Sequence, residues 1–145
     1  MNNPMEERNV LAAIILNENS EVLIQKKDLG HPWTPGAWCF FGGKLEENKD
    51  PKELLKEILK KKLGVEIEVG EFFKVHPTII EYPKGTMKCN DLVYICRFRG
   101  KISDIKLNEG AGFAFLDKSE IDSYPITKHG KEILKEYFLG YRTRM

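Results

Sequence analysis

Lys49, Lys61 and Lys62 are among the charged side chains of a glycine-bounded stretch that could meet a charged ligand. They lie in the stretch Gly42 to Val65, GGKLEENKDPKELLKEILKKKLGV, just after a Gly-Gly turn. An ammonium group is a point charge with three donors, and several near a glycine turn can grip a phosphorylated small molecule without a metal. A plainer reading stands beside this one. Lys60, Lys61 and Lys62 fall in the last turn of a helix, where the dipole favours cations, and Glu57 is at the favourable spacing to pair with Lys61. A role in partner binding is a third reading. The carboxylates able to serve as a base or to ligate a hard cation are Glu46, Glu47, Glu53, Glu57 and, far downstream, Glu109.

Other reactive side chains form no pattern. His31, His76 and His129 are dispersed and show no ligand spacing. Cys39, Cys89 and Cys96 make no CxxC pair, which argues against a zinc site and against a disulfide framework. The expectation for them is reduced, buried or half-buried thiols. Trp33, Trp38, Phe72, Phe73 and Tyr82 could supply a base-stacking platform, but core packing explains most such aromatics.

The elements that must position these groups are legible. Asp50 is a good N-cap, Pro51 suits the first helical turn, and Glu53 completes a capping-box spacing. Gly64 supplies a left-handed stop, so the helix runs from about Pro51 to Leu63. At about 100° per residue, Leu55, Leu59 and Leu63 form a sheet-facing stripe, and Leu54, Ile58, Lys61 and Lys62 the adjoining face. Val10–Leu16 is continuously apolar, as in a strand covered on both faces. Glu21–Lys26 reads as the returning strand, and Ala37–Phe41 as a short one leading into the glycines. Val65–Val69 and Phe72–Glu81 are β-rich, Tyr82–Met87 reads as a hairpin turn, and Asp91–Arg99 as its partner strand. Phe113–Leu116 is a further strand, and Ile126–Leu139 has helical periodicity. This order of elements points to an α/β sandwich with a mixed sheet.

A chain of 145 residues fits one domain, 1–145, with a real core. Its 41% hydrophobic and 31% charged residues are those of a globular protein. The net charge of +1 provides no global field for nucleic acid, and no basic patch interleaves with aromatics. No signal-peptide pattern opens the chain, and no apolar run could span a membrane, so a cytoplasmic location is expected. Homo-oligomerisation is left open.

The stretch from Gly43 to Val65 resembles the Nudix box. That pattern reads Gly, five residues, Glu, seven residues, Arg-Glu-apolar, one residue, Glu-Glu, one residue, Gly-apolar. With Gly43 on the first glycine and no gap, Gly64 falls on the last and Val65 on the closing apolar position. The first Glu falls on Lys49, the Arg on Glu57, the next Glu on Ile58, and the Glu pair on Lys61 and Lys62. A shifted register that puts Lys56-Glu57-Ile58 on the Arg-Glu-apolar element needs a deletion and an insertion, and still leaves Lys60-Lys61 where two acids belong. The resemblance continues outside the box, in Val10–Leu16 and Glu21–Lys27, in Pro35–Glu46 and in Asn108–Leu116.

The resemblance implies a Nudix-like α/β/α sandwich with a mixed β-sheet. It also implies cleavage of a diphosphate bond by Mg²⁺ or Mn²⁺ held on the box glutamates. Three lysines and an isoleucine cannot supply the hard oxygen ligands magnesium needs, so no metal and no cofactor are expected. The first functional reading is a Nudix-fold protein without standard hydrolysis that binds a nucleotide or another phosphorylated small molecule through Gly43, Lys49, Lys61 and Lys62. The alternative is a divergent pyrophosphohydrolase acting on nucleoside diphosphate derivatives. Its catalytic candidates are Glu57 and Glu109, and Mg²⁺ or Mn²⁺ would enter only there. RNA binding or decapping is a weaker third.

Overall fold

The computed structural model describes residues 6–31, 35–108 and 110–141. Among these residues, seven strands and two α-helices follow in the order β1 (Glu6–Leu16), β2 (Val22–Lys26), β3 (Trp38–Cys39), β4 (Phe41–Lys44), α1 (Pro51–Leu63), β5 (Glu68–Tyr82), β6 (Gly85–Arg97), β7 (Gly112–Leu116) and α2 (Lys128–Glu136). β1 is the spine, and its apolar run is covered on both faces as its composition predicts. Leu11, Ala13 and Ile15 pack on one face with Leu54, Leu55, Leu59 and Leu63 of α1. Ala12, Ile14 and Leu16 pack on the other with Ile133 and Leu134 of α2. The result is the α/β/α sandwich expected from the sequence, with a mixed sheet.

The mixture comes from one parallel pairing. β1 runs parallel to β6 along its whole length, from Glu6 opposite Met87 to Leu16 opposite Arg97. Its other edge is shared between two antiparallel partners. β4 covers Val10 to Ala13, and β2 covers Ile15 and Leu16. β5 and β6 form a long hairpin through a two-residue turn, with Tyr82 opposite Gly85. The two β-rich segments expected before that turn merge into one strand, irregular between Val69 and Lys74.

α1 keeps its sequence-derived bounds. The Asp50 side chain accepts from the Glu53 N–H at 3.0 Å, and Gly64 ends the helix at φ 69°. A Cβ on Gly64 would meet Lys106 Cβ at 3.2 Å in a backbone region costly for L-residues. Gly64→Ala should therefore cost about 1 kcal/mol in urea unfolding, and an unchanged midpoint would contradict this account of the cap.

α2 starts later than its periodicity suggests because the residues before it are used elsewhere. Trp38 bridges Ile126 in parallel. Its N–H donates to Pro125 O at 3.1 Å, and Thr127 N–H donates to Trp38 O at 3.0 Å. The helix then begins under a Thr127 cap and ends in a π turn over Tyr137–Tyr141.

Candidate functional site

A cleft of about 240 Å³ lies beside the first turn of α2, on the face of the sheet that this helix packs against. The register of the central strands sets its floor, with Arg8 opposite Cys89 and Val10 opposite Asp91. β3 and β4 close one side through Cys39 to Gly43, and Thr127 and His129 of the α2 start close another. Lys62, at the end of α1, reaches the rim, where its ammonium donates to the Gly42 carbonyl. The lining carries Arg8, Lys27 and Lys62 against one carboxylate, Asp91.

Of the four expected ligand-binding residues, the structure brings Gly43 and Lys62 to this cleft. Lys49 lines a neighbouring cleft, exposed and 3.1 Å from Glu46. Lys61 is exposed on α1 and lines neither, its backbone carbonyl accepting from Asn108 Nδ2 at 2.7 Å. Glu57 is exposed on α1, also away from both clefts. Glu109 and Trp33 lie outside the described residues, as does the side chain of Tyr82. Ile58 packs beside Gly43, where a Cβ would meet its Cδ1 at 3.1 Å. Trp38 and Phe73 make edge-to-face contacts with Tyr124 and Tyr137 and pack on the core.

The cleft also gathers groups that sequence spacing could not join. Cys39 Sγ lies 3.6 Å from His129 Nε2, although the two are 90 positions apart in the chain. The Thr127 hydroxyl donates to the same sulfur at 3.3 Å, while its oxygen accepts from Gly130 N–H at 3.2 Å. Asp91 Oδ2 is 3.8 Å from His129 Nε2. Burial pushes the Cys39 thiol up, but the hydrogen bond and charge of His129, then Thr127 and Lys27, bring it below its ordinary value. Burial pushes His129 down, and Cys39, Asp91 and Glu132 together raise it above its ordinary value. Asp91 is raised, chiefly by burial, against the pull of His129. Cys89, buried beside Asp91, is pushed up to about 12.

The raised His129 has a consequence for stability. A folded-state value above the unfolded one, near 6.5, means that its contribution is complete below that pH and is lost as pH rises through the folded value. His129→Gln should remove this component from a stability-versus-pH curve measured by urea unfolding. A variant curve parallel to the wild type above pH 6.5 would count against the pairing.

All three cysteines are reduced and buried, as their scatter suggests. No helix among the described residues is long and apolar enough to cross a membrane.

Comparisons with known proteins agree with this fold. The MutT protein from Methanosarcina mazei Go1 superposes with a TM-score of 0.82 over 99% of this chain and 100% of that one, at 15% identity. A NUDIX hydrolase from Nitrosomonas europaea superposes with a TM-score of 0.72 over 97% of this chain and 75% of that one, also at 15% identity. The CTP pyrophosphohydrolase of Escherichia coli (strain K12) is 34% identical over 67 residues, which are 46% of this chain and 48% of that protein. The match thus spans about half the length of that relative. The family model for the NUDIX domain matches residues 5–137. A match of that extent, on a fold shared almost end to end with solved relatives, makes this chain a member of the Nudix domain family.

Proposed function

We propose that this protein binds a nucleotide or related phosphorylated small molecule in the cleft beside Gly42 and Gly43, and that it does so without magnesium-dependent hydrolysis. The observation that carries the reading is the charge of the lining, with Arg8, Lys27 and Lys62 facing a space that holds one carboxylate. Cationic donors around a small polar cleft suit a phosphate chain. Of the expected lysines, Lys62 is the one that lines this cleft, at its rim. Arg8 and Lys27 take the part that the sequence suggests for Lys49 and Lys61.

The residues at the family's metal-ligand positions do not fit the ion. Lys49, Ile58, Lys61 and Lys62 offer no oxygen ligand, and the Lys62 ammonium already engages the Gly42 carbonyl. Among the described residues, no group of three or more His, Cys, Asp or Glu side chains is arranged to hold a metal. The protein's own cations do the work that a bound metal would share. They neutralise and orient the phosphates, and Asp91 with His129 supplies a polar anchor deeper in the cleft.

The second reading is hydrolysis of a nucleoside triphosphate or a nucleoside diphosphate derivative by a divergent acid set. The partial likeness to a CTP pyrophosphohydrolase favours it. Calorimetric titration with CTP in EDTA separates the two. Binding in EDTA that needs no Mg²⁺, and no release of phosphate or pyrophosphate once Mg²⁺ is added, is the expected result. Turnover that requires Mg²⁺ or Mn²⁺ would replace the first reading with the second.

A further inference from the structure

The cleft contains a nucleophile that anion binding does not use. Cys39 is held at the start of α2 by contacts from three sides. The Thr127 hydroxyl accepts from Gly130 N–H at 3.2 Å and donates to Cys39 Sγ at 3.3 Å, with His129 Nε2 3.5 Å from its oxygen. His129 Nε2 lies 3.6 Å from the same sulfur. The first turn of the helix comes so close that a Cβ on Gly130 would sit 3.3 Å from Sγ. A hydroxyl donor, an imidazole and a helix N-terminus are each known to favour a thiolate over a thiol. The bridge between Trp38 and Ile126 fixes this placement, because it locks β3 against the segment that leads into α2.

We propose that Cys39 is a covalent capture site, with Thr127 and His129 holding its sulfur as a nucleophile toward small α,β-unsaturated carbonyl compounds that enter the cleft. The sulfur adds to the β-carbon and forms the S–C bond. The electron pair of the C=C bond moves to the α-carbon, which takes the proton of the His129 imidazolium. A thiolate and an imidazolium become a neutral thioether and a neutral imidazole, and no co-reactant is needed. A soft sulfur prefers a soft electrophile, and a cleft of about 240 Å³ admits a compound of acrylamide size.

The surrounding charges are consistent with this. On β6, Asp91 faces His129 and accepts from the Cys89 thiol, and it raises that thiol. Lys27, following β2, acts on Cys39 in the lowering direction. His76 on β5 and Glu132 on α2 pair with each other at 3.6 Å, the first acting on Asp91 and the second on His129. Arg8 on β1 lies nearer Cys89 and acts on it.

Cys89 is a built-in control. It lines the same cleft with the same 8% exposure as Cys39, but its hydrogen-bond partner is the Asp91 carboxylate and not an imidazole. Cys96 is fully buried and away from the cleft. The test is acrylamide labelling of the folded full-length chain from pH 6 to 9, read site by site by peptide mass spectrometry. Cys39 should label at least about tenfold faster than Cys89 or Cys96 at pH 7, with an inflection below the ordinary thiol value. His129→Gln should slow Cys39 about tenfold at pH 7 and move the inflection upward. Because that variant can also loosen the cleft, thiolate absorbance near 240 nm in wild type minus Cys39→Ser gives a second readout that needs no access. A difference signal that persists below the ordinary thiol range supports the proposal. Equal labelling of Cys39 and Cys89, a profile unmoved by His129→Gln, or no such difference signal would overturn it.

Discussion

Gly42→Ala should lower stability by about 3 kcal/mol or more, the largest effect expected of any glycine outside a turn. An added Cβ would lie 1.9 Å from the Leu11 carbonyl oxygen and 2.9 Å from its carbon. Both are backbone atoms of β1, which is paired with β6 on its far side along eleven positions. The strand cannot retreat without breaking that ladder. Gly43→Ala meets the Ile58 side chain, first its Cδ1 at 3.1 Å, and Gly112→Ala meets nothing within 4 Å. Thermal unfolding of the three variants should therefore rank Gly42 far below Gly43 and Gly43 below Gly112, with a loss of about 10 °C for the first. Equal midpoints for Gly42→Ala and Gly112→Ala would show that this close approach of β4 to β1 is not real. The same glycine presents the carbonyl that Lys62 engages, so the constraint also holds the rim of the cleft in place.

Lys62→Glu should abolish CTP binding measured in EDTA at low salt, and Lys62→Gln should weaken it about tenfold or more. Losing a charge-assisted contact to phosphate removes one of the three cationic side chains of the lining, and reversal sets a second carboxylate beside Asp91. Lys61→Gln and Lys49→Gln should change little, since one points to solvent and the other pairs with Glu46 away from the cleft. Wild-type affinity should fall as ionic strength rises, the mark of a partly solvated charge contact. The comparison is within one helix, so a gross folding defect is controlled by the Lys61 variant. If Lys61→Gln weakens CTP as much as Lys62→Gln does, the binding surface is the helix end and not the cleft.

Several elements of this protein are written locally. Asp50, Pro51 and Gly64 bound α1 within a few residues of their own positions, and capping depends on nothing farther away. The unbroken apolar run of β1 carries its own message, because a strand with no polar face must be covered twice. The glycine frame from Gly43 to Gly64 brought the family resemblance, and the fold with it. The expected elements are found, but several bounds move: β1 starts at Glu6 and not Val10, β6 at Gly85 and not Asp91, Gly42 and Gly43 lie in β4 and not in a turn, and Trp38 takes Ile126 from α2.

The composition of the cleft was decided elsewhere. Lys49 and Lys61 share a helix-and-loop segment with Lys62, yet rotation about α1 and the pull of Glu46 send them away from it. Arg8 and Lys27 enter because β1, β6 and β2 are in a particular register, which no spacing along the chain reports. Cys39 and His129 meet only because β3 pairs with the segment before α2. Periodicity and capping act over a few residues, so by itself the sequence determined the helices, the strands and the two-sided core. Contacts across 90 positions depend on strand order and register. The tertiary structure alone therefore decided which cations share the cleft and which thiol stands beside an imidazole.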